Sequence, residues 1–146
     1  MSVTMKKYEV FEILQQVEKA KSRKEKITIL QSNNIMPLKD VLRGTFDESI
    51  QWNLPAGDNV PYEPSREESV PSTLRKQHMK FKYFVKGLRE SESLTSVRRE
   101  SIFLGMLEAI HPEDAKVVVS MINKKSPVKG LTKKLVEEAF PGLILK

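Results

Sequence analysis

HPEDAKVVVSMI, residues 111–122, supports two readings, and the choice between them sets the fold class. Val117, Val118 and Val119 favour a strand on propensity alone. The start of the run argues for a helix. A proline in a first helical turn loses nothing, because the N–H it lacks has no intrahelical partner there. Glu113 and Asp114 sit where a helix dipole favours negative charge. Ala115, Val118, Val119 and Ile122 then fall on one face at helical spacing. With this run helical, no strand is expected anywhere in the chain. The expected fold class is all-α, one helical domain of about six to eight helices.

Working outward, the same periodicity recurs. A last short helix is predicted from about Thr132 to Ala139, stopped by Pro141-Gly142. Upstream, Phe103, Leu104, Leu107 and Ile110 mark a helix over Thr95–Ile110, and Leu74, Phe81, Phe84, Val85 and Leu88 an apolar face over Thr73–Arg89. At the front, Val10, Ile13, Leu14 and Val17 predict a helix over Lys6–Ala20. Ser22 and Glu25 form an S-x-x-E capping pattern at the start of a second helix, which Asn33-Asn34 should stop. A third helix carries Pro37 in its first turn and Leu38, Val41 and Leu42 inside, with Gly44 as its expected end. The stretch 51–72 differs. It holds four of the eight prolines and is acidic, so it is expected to be an extended connection between halves 6–50 and 73–146, pinned in part by Trp52 and Tyr62.

The chain has 146 residues, 30% of them charged, and a net charge of +6. That excess is uneven: residues 1–72 carry net −1 and residues 73–146 net +7. Such asymmetry points to a polyanionic partner, nucleic acid before an acidic membrane. There is no cysteine, so neither a disulfide nor a thiolate metal site exists. The opening MSVTMKKYEV has no apolar core of a signal peptide, and no apolar run approaches a membrane span. A cytoplasmic protein is expected, without cofactor or metal.

Enzyme signatures fail one by one. Neither glycine-rich phosphate cradle is present. His78 and His111 are far apart and lack co-ligands; His78 reads as a helix-surface residue and His111 as a cap. The pairs Glu67-Glu68 and Glu137-Glu138 diverge by about 100° on a helix, unlike an acid/base pair. What remains is KKSPVKGLTKK, residues 124–134, with five lysines and no acid. Gly130 allows close backbone approach, and Thr132 precedes a helix whose unpaired amides attract phosphate. Lys124, Lys125, Lys129, Lys133 and Lys134 are the candidate phosphate contacts. Ser22, Arg23 and Lys24, in the basic turn KSRKEK, form a second candidate region. Lysines of this kind hold a backbone without reading sequence.

The order of these features resembles the N-terminal DNA-binding domain of ATP-dependent DNA ligases, the T-even phage type most of all. ILQQVEKAKSRKEKITILQSNN is similar to that family's opening helix, polar turn and second helix. KKSPVKGLTKKLVEEAFPGLI resembles its closing segment, where an R-D-L-R-I-G loop leads to Gly-small-Ser/Thr, a short helix and W/F-P-G-L. Gly130, Thr132, Phe140, Pro141, Gly142 and Leu143 match in place, and Lys125 stands at the first arginine. Val128 replaces the second arginine, with Lys129 beside it, and Pro127 interrupts the loop. The resemblance implies an all-α clamp that holds a duplex, nicked or intact, by its backbone. The ligase nucleotidyltransferase motif K-x-D-G is absent, so the expectation is a free-standing clamp without catalysis. The alternative is a scaffold reused to dock a replication, transcription or virion protein through segment 51–72.

Overall fold

The computed structural model describes residues 8–55, 57 and 59–146. Lys6 and Lys7, placed in the first helix by the sequence, and Asp58 of the connection lie outside them. Among the described residues there are eight α-helices, one 3-10 helix and no strand. The α-helices are α1 (Val10–Lys19), α2 (Arg23–Ser32), α3 (Met36–Phe46), α4 (Leu74–Gln77), α5 (Arg89–Glu92), α6 (Ser96–Ala109), α7 (Pro112–Ile122) and α8 (Lys133–Ala139). The 3-10 helix spans His78–Phe84, between α4 and α5.

The valine run is helical, as its start dictates. Pro112 opens α7, and the His111 ring Nδ1 caps it by accepting from the Glu113 N–H at 3.0 Å. Ala115, Val118 and Ile122 are buried on one face. The two halves of the chain share one core rather than forming separate units. α1 packs on α2 and α7, α3 on α7, and α2 on α8. Val10, Ile13, Leu14 and Val17 of α1 meet Val118, Met121 and Leu135 in that core. Each fully buried Leu or Ile contributes roughly 1.5–3 kcal/mol.

Five local expectations are corrected. Gly44 does not end α3, which continues to Phe46. It is glycine because the Trp52 indole lies against it: a Cβ there would approach Trp52 Cζ2 to 2.5 Å, while the indole N–H donates to the Gly44 carbonyl at 3.0 Å. Asn33 ends α2 without entering the left-handed region (φ −119), its side-chain amide donating back to the Ile29 carbonyl. The single helix expected over Thr73–Arg89 is instead a short α-turn followed by 3-10. The buried aromatics of that stretch, Phe81 and Phe84, are three apart, and 3-10 winding stacks i and i+3 on one side. Leu88, expected in the core, is exposed, and His78 is not a free surface residue but is half-buried against Asp40 at 2.6 Å.

The connection 51–72 is extended and tied down. Asn53 donates its N–H to the Phe84 carbonyl, and Lys86 to Gln51. Further along, Gly57 and Asn123 exchange hydrogen bonds, the Ser65 hydroxyl donates to the Ile110 carbonyl, and the Ser72 N–H to Ala109. Trp52 is in the core and Tyr62 packs against it, so the aromatics of the proposed docking strip face inward. No helix is long and apolar enough to cross a membrane among the described residues.

Candidate nucleic-acid interface

The two basic turns, about a hundred residues apart in sequence, meet in space. α8 packs on α2. The Lys26 side chain lies over Gly130, where a Cβ would come within 3.1 Å of its Nζ. Gly130 itself is exposed, with φ +80, a conformation that favours glycine. Lys26 directs its ammonium to the carbonyls of Val17 (2.7 Å) and Ala20 (2.9 Å), which closes the end of α1 and fixes the turn beneath Gly130. Glu18 at the end of α1 accepts the Lys129 backbone N–H at 2.9 Å. Arg23, at the start of α2, pairs with Glu138 of α8 at 2.6 Å.

Ser22 caps α2, its hydroxyl accepting from the Glu25 N–H at 3.1 Å. The reciprocal half of the expected capping box is displaced by one residue, because the Glu25 carboxylate accepts from Lys21 (3.3 Å) and not from Ser22. Thr132 likewise caps α8 by accepting from Leu135. The amides at the start of α8 are therefore served in part by their own cap, and this helix has only seven residues.

The five lysines of residues 124–134 do not act as one group. Lys124 leaves the set of phosphate contacts. It adopts φ +57 just after α7, where Lys125 donates its N–H to the Ser120 carbonyl in the manner of a helix-closing left-handed residue. Its ammonium turns inward and donates to three carbonyls: Gly44 (2.7 Å), Asp47 (2.8 Å) and Ile50 (2.9 Å). All three N–H groups are thus used to close the C-terminal end of α3. Burial lowers its pKa from the ordinary lysine value, opposed by the charges of Asp47 and Glu48 and reinforced by Lys133. Lys133 points the same way, donating to the Lys146 carbonyl at 2.6 Å and lying 3.9 Å from Glu48.

This side of the molecule is a structural knot. Its centre is Asp47, fully buried, which accepts from the Ser49 N–H and hydroxyl and from the Leu145 N–H. Burial works to raise its pKa, but those hydrogen bonds, with Arg43 nearby, hold it at about 2.

Lys134 lies on the other side. It is four residues before Glu138 and so shares the face of α8 that reaches Arg23. Lys125, Lys129, Lys134 and Lys24 have exposed side chains. Arg23 and Lys24 open α2, Lys129 adjoins the exposed Gly130, and Lys125 lies earlier in the same loop. Sequence reasoning missed Lys26 as the residue that joins the two turns, and Glu18 as the acid that occupies the loop amide. Neither is marked by local pattern, since both act across a tertiary contact.

Among the described residues, no group of three His, Cys, Asp or Glu side chains is placed to hold a metal ion. No curated protein matches the chain. A family model spans residues 13–127, most of the length, and on that basis the chain belongs to a family of unknown function, DUF6433.

Proposed function

We propose that this protein is a non-catalytic module that binds duplex DNA independently of sequence, through phosphate contacts from the surface made by residues 125–134 and the start of α2. The observation that carries this reading is the convergence of the two basic turns. Lys26 packs on Gly130, Arg23 reaches α8, and Lys24, Lys125, Lys129 and Lys134 are exposed on the two turns and the start of α8. The excess positive charge of residues 73–146 adds a long-range attraction to a polyanion. The Lys129 amide is already aimed at an oxyanion, the Glu18 carboxylate, which a phosphate oxygen can replace. The resemblance of the opening and closing segments to the DNA-binding domain of ATP-dependent ligases points the same way. No residue in this reading performs a chemical step.

The phosphate contacts are assigned to Lys24, Lys125, Lys129 and Lys134, with Arg23 kept by Glu138 as the link between α2 and α8. Gly130, Ser22 and Thr132 shape the backbone, and Lys124 and Lys133 are structural. Reversing Lys125, Lys129 and Lys134 together to glutamate is expected to weaken duplex binding on the order of a hundredfold or more, with helical content retained. Full affinity in that folded variant overturns the assignment. A second expectation concerns Glu18. Its replacement by glutamine removes a negative charge next to the bound phosphate and leaves the Lys129 amide a weaker, neutral acceptor that a phosphate displaces more easily, so affinity should rise by about threefold to tenfold at low salt. Equal or weaker binding by the glutamine variant removes Glu18 from the site.

A further inference from the structure

A second surface, between α3 and the 3-10 helix, has a different chemistry. Residues 75–89 carry six cations and no acid. Their 3-10 helix and α3 enclose a groove of about 360 Å³. Its floor is apolar: Trp52, edge-on to Phe81 with ring centres 6.1 Å apart, together with Val85. Two of the five exposed large hydrophobic side chains among the described residues, Met79 (67% exposed) and Leu88 (40%), line it. Lys82 and Arg43 also line it. The Arg43 Nε is buried without a hydrogen-bond partner, its approach to Asp47 being 3.7 Å. Asp40, the acid in this groove, is held by His78 at 2.6 Å.

We propose that this groove binds an acidic peptide segment of a partner protein, with one or two apolar side chains seated between Met79 and Leu88 and its carboxylates on Arg43, Lys82 and Lys86. Charge complementarity selects an acidic occupant, and the floor selects a peptide over a nucleic acid. Met79 and Leu88 are aliphatic and offer no face for base stacking, while Trp52 and Phe81 are almost fully buried. A phosphate backbone laid here would leave that apolar surface uncovered. Apolar anchors rimmed by charge are the ordinary composition of a peptide-binding hot spot.

Trp52 is the only tryptophan and lies in the floor, so its emission reports occupancy directly. The test is selection from a random dodecapeptide library displayed on phage. The full chain is the target and the Met79→Glu/Leu88→Glu variant the counter-target. Selected peptides are expected to combine several acids with aliphatic or aromatic anchors, to shift Trp52 emission saturably, and to bind the variant at least about tenfold more weakly. A Lys82→Glu/Lys86→Glu variant, altered only at exposed lysines, should lose the same peptides while keeping its fold. Three results overturn the proposal: no enrichment, enrichment of neutral or basic sequences, or binding by either variant as tight as by the unaltered chain. A short DNA duplex that shifts Trp52 and competes with the peptides assigns the groove to nucleic acid instead. Because the groove variants leave residues 22–24 and 125–134 untouched, their DNA binding separates failure here from failure of the proposed function.

Discussion

Lys124→Met is expected to cost about 3 kcal/mol of folding stability while leaving the exposed cations in place. The wild-type ammonium satisfies three carbonyls at once, at Gly44, Asp47 and Ile50. Methionine fills a similar volume but offers no donor, so those carbonyls lose their partner at the end of α3. The variant also keeps the left-handed backbone of φ +57 without the clamp that holds it there. Lys124→Gly should therefore be less damaging than Lys124→Met by about 1 kcal/mol, because glycine adopts that backbone freely. Urea unfolding of the two variants checks both statements. A methionine variant as stable as wild type would show that the Lys124 ammonium does not hold the end of α3.

Asp114→Asn is expected to act in the opposite direction, and only above acidic pH. Asp114 is completely buried; its Oδ1 accepts the Phe11 N–H at 2.8 Å and its Oδ2 has no partner. Burial raises its pKa to about 7 from 3.8, the Phe11 hydrogen bond opposing and Glu9 and Glu12 adding to the rise. The sign follows from proton counting. Between about pH 4 and pH 7 the folded state holds this proton more tightly than the unfolded chain, so stability is greatest below that window and falls as pH rises through it. A shift of this size corresponds to a loss on the order of 4 kcal/mol by alkaline pH.

Asparagine cannot ionise, but its Nδ2 inherits an unpartnered position, which offsets roughly 1–3 kcal/mol of that gain. The variant should match or fall below wild type near about pH 4.5 and exceed it by about 1–3 kcal/mol near about pH 8.5. Asp47, held at about 2, stays ionised throughout that range and does not confuse the comparison. A parallel pH dependence in both proteins would show that Asp114 is ionised in the fold at neutral pH.

The helices were readable where one residue type settled the matter locally. Pro112 with its two acids defined α7, Ser22 and Thr132 marked helix starts that they do cap, and Val10 to Val17 marked a buried stripe. The errors arose where a distant partner decided. Gly44 looks like a helix stop until Trp52 is seen lying on it. Phe81 and Phe84 belong to any amphipathic helix pattern, and the core they share with Phe103 (5.3 Å from Phe84) fixes the tighter winding. For the candidate interface, the sequence marked both basic turns correctly as neighbours of helix starts, but lysines of one run look alike on paper. Lys124 and Lys134 differ only in where the backbone points them. A left-handed turn sends the first under α3, and the register of α8 sends the second to the side of Arg23. The Glu18 contact with Lys129 spans 111 residues and has no local signature.

The sorting of these lysines sets the salt dependence of binding. Five phosphate contacts, one for each lysine of residues 124–134, imply a slope of log affinity against log salt near about −4.5, whereas four contacts from Lys24, Lys125, Lys129 and Lys134 imply about −3.6. The decisive measurement is duplex DNA binding by the full chain, titrated from about 50 to 200 mM salt, with a Lys134→Gln variant alongside. The wild-type slope is expected at about −3.6 and becomes shallower by about 0.9 in the variant. A duplex affinity that is undetectable at low salt, or a slope that Lys134→Gln leaves unmoved, contradicts the assigned phosphate contacts.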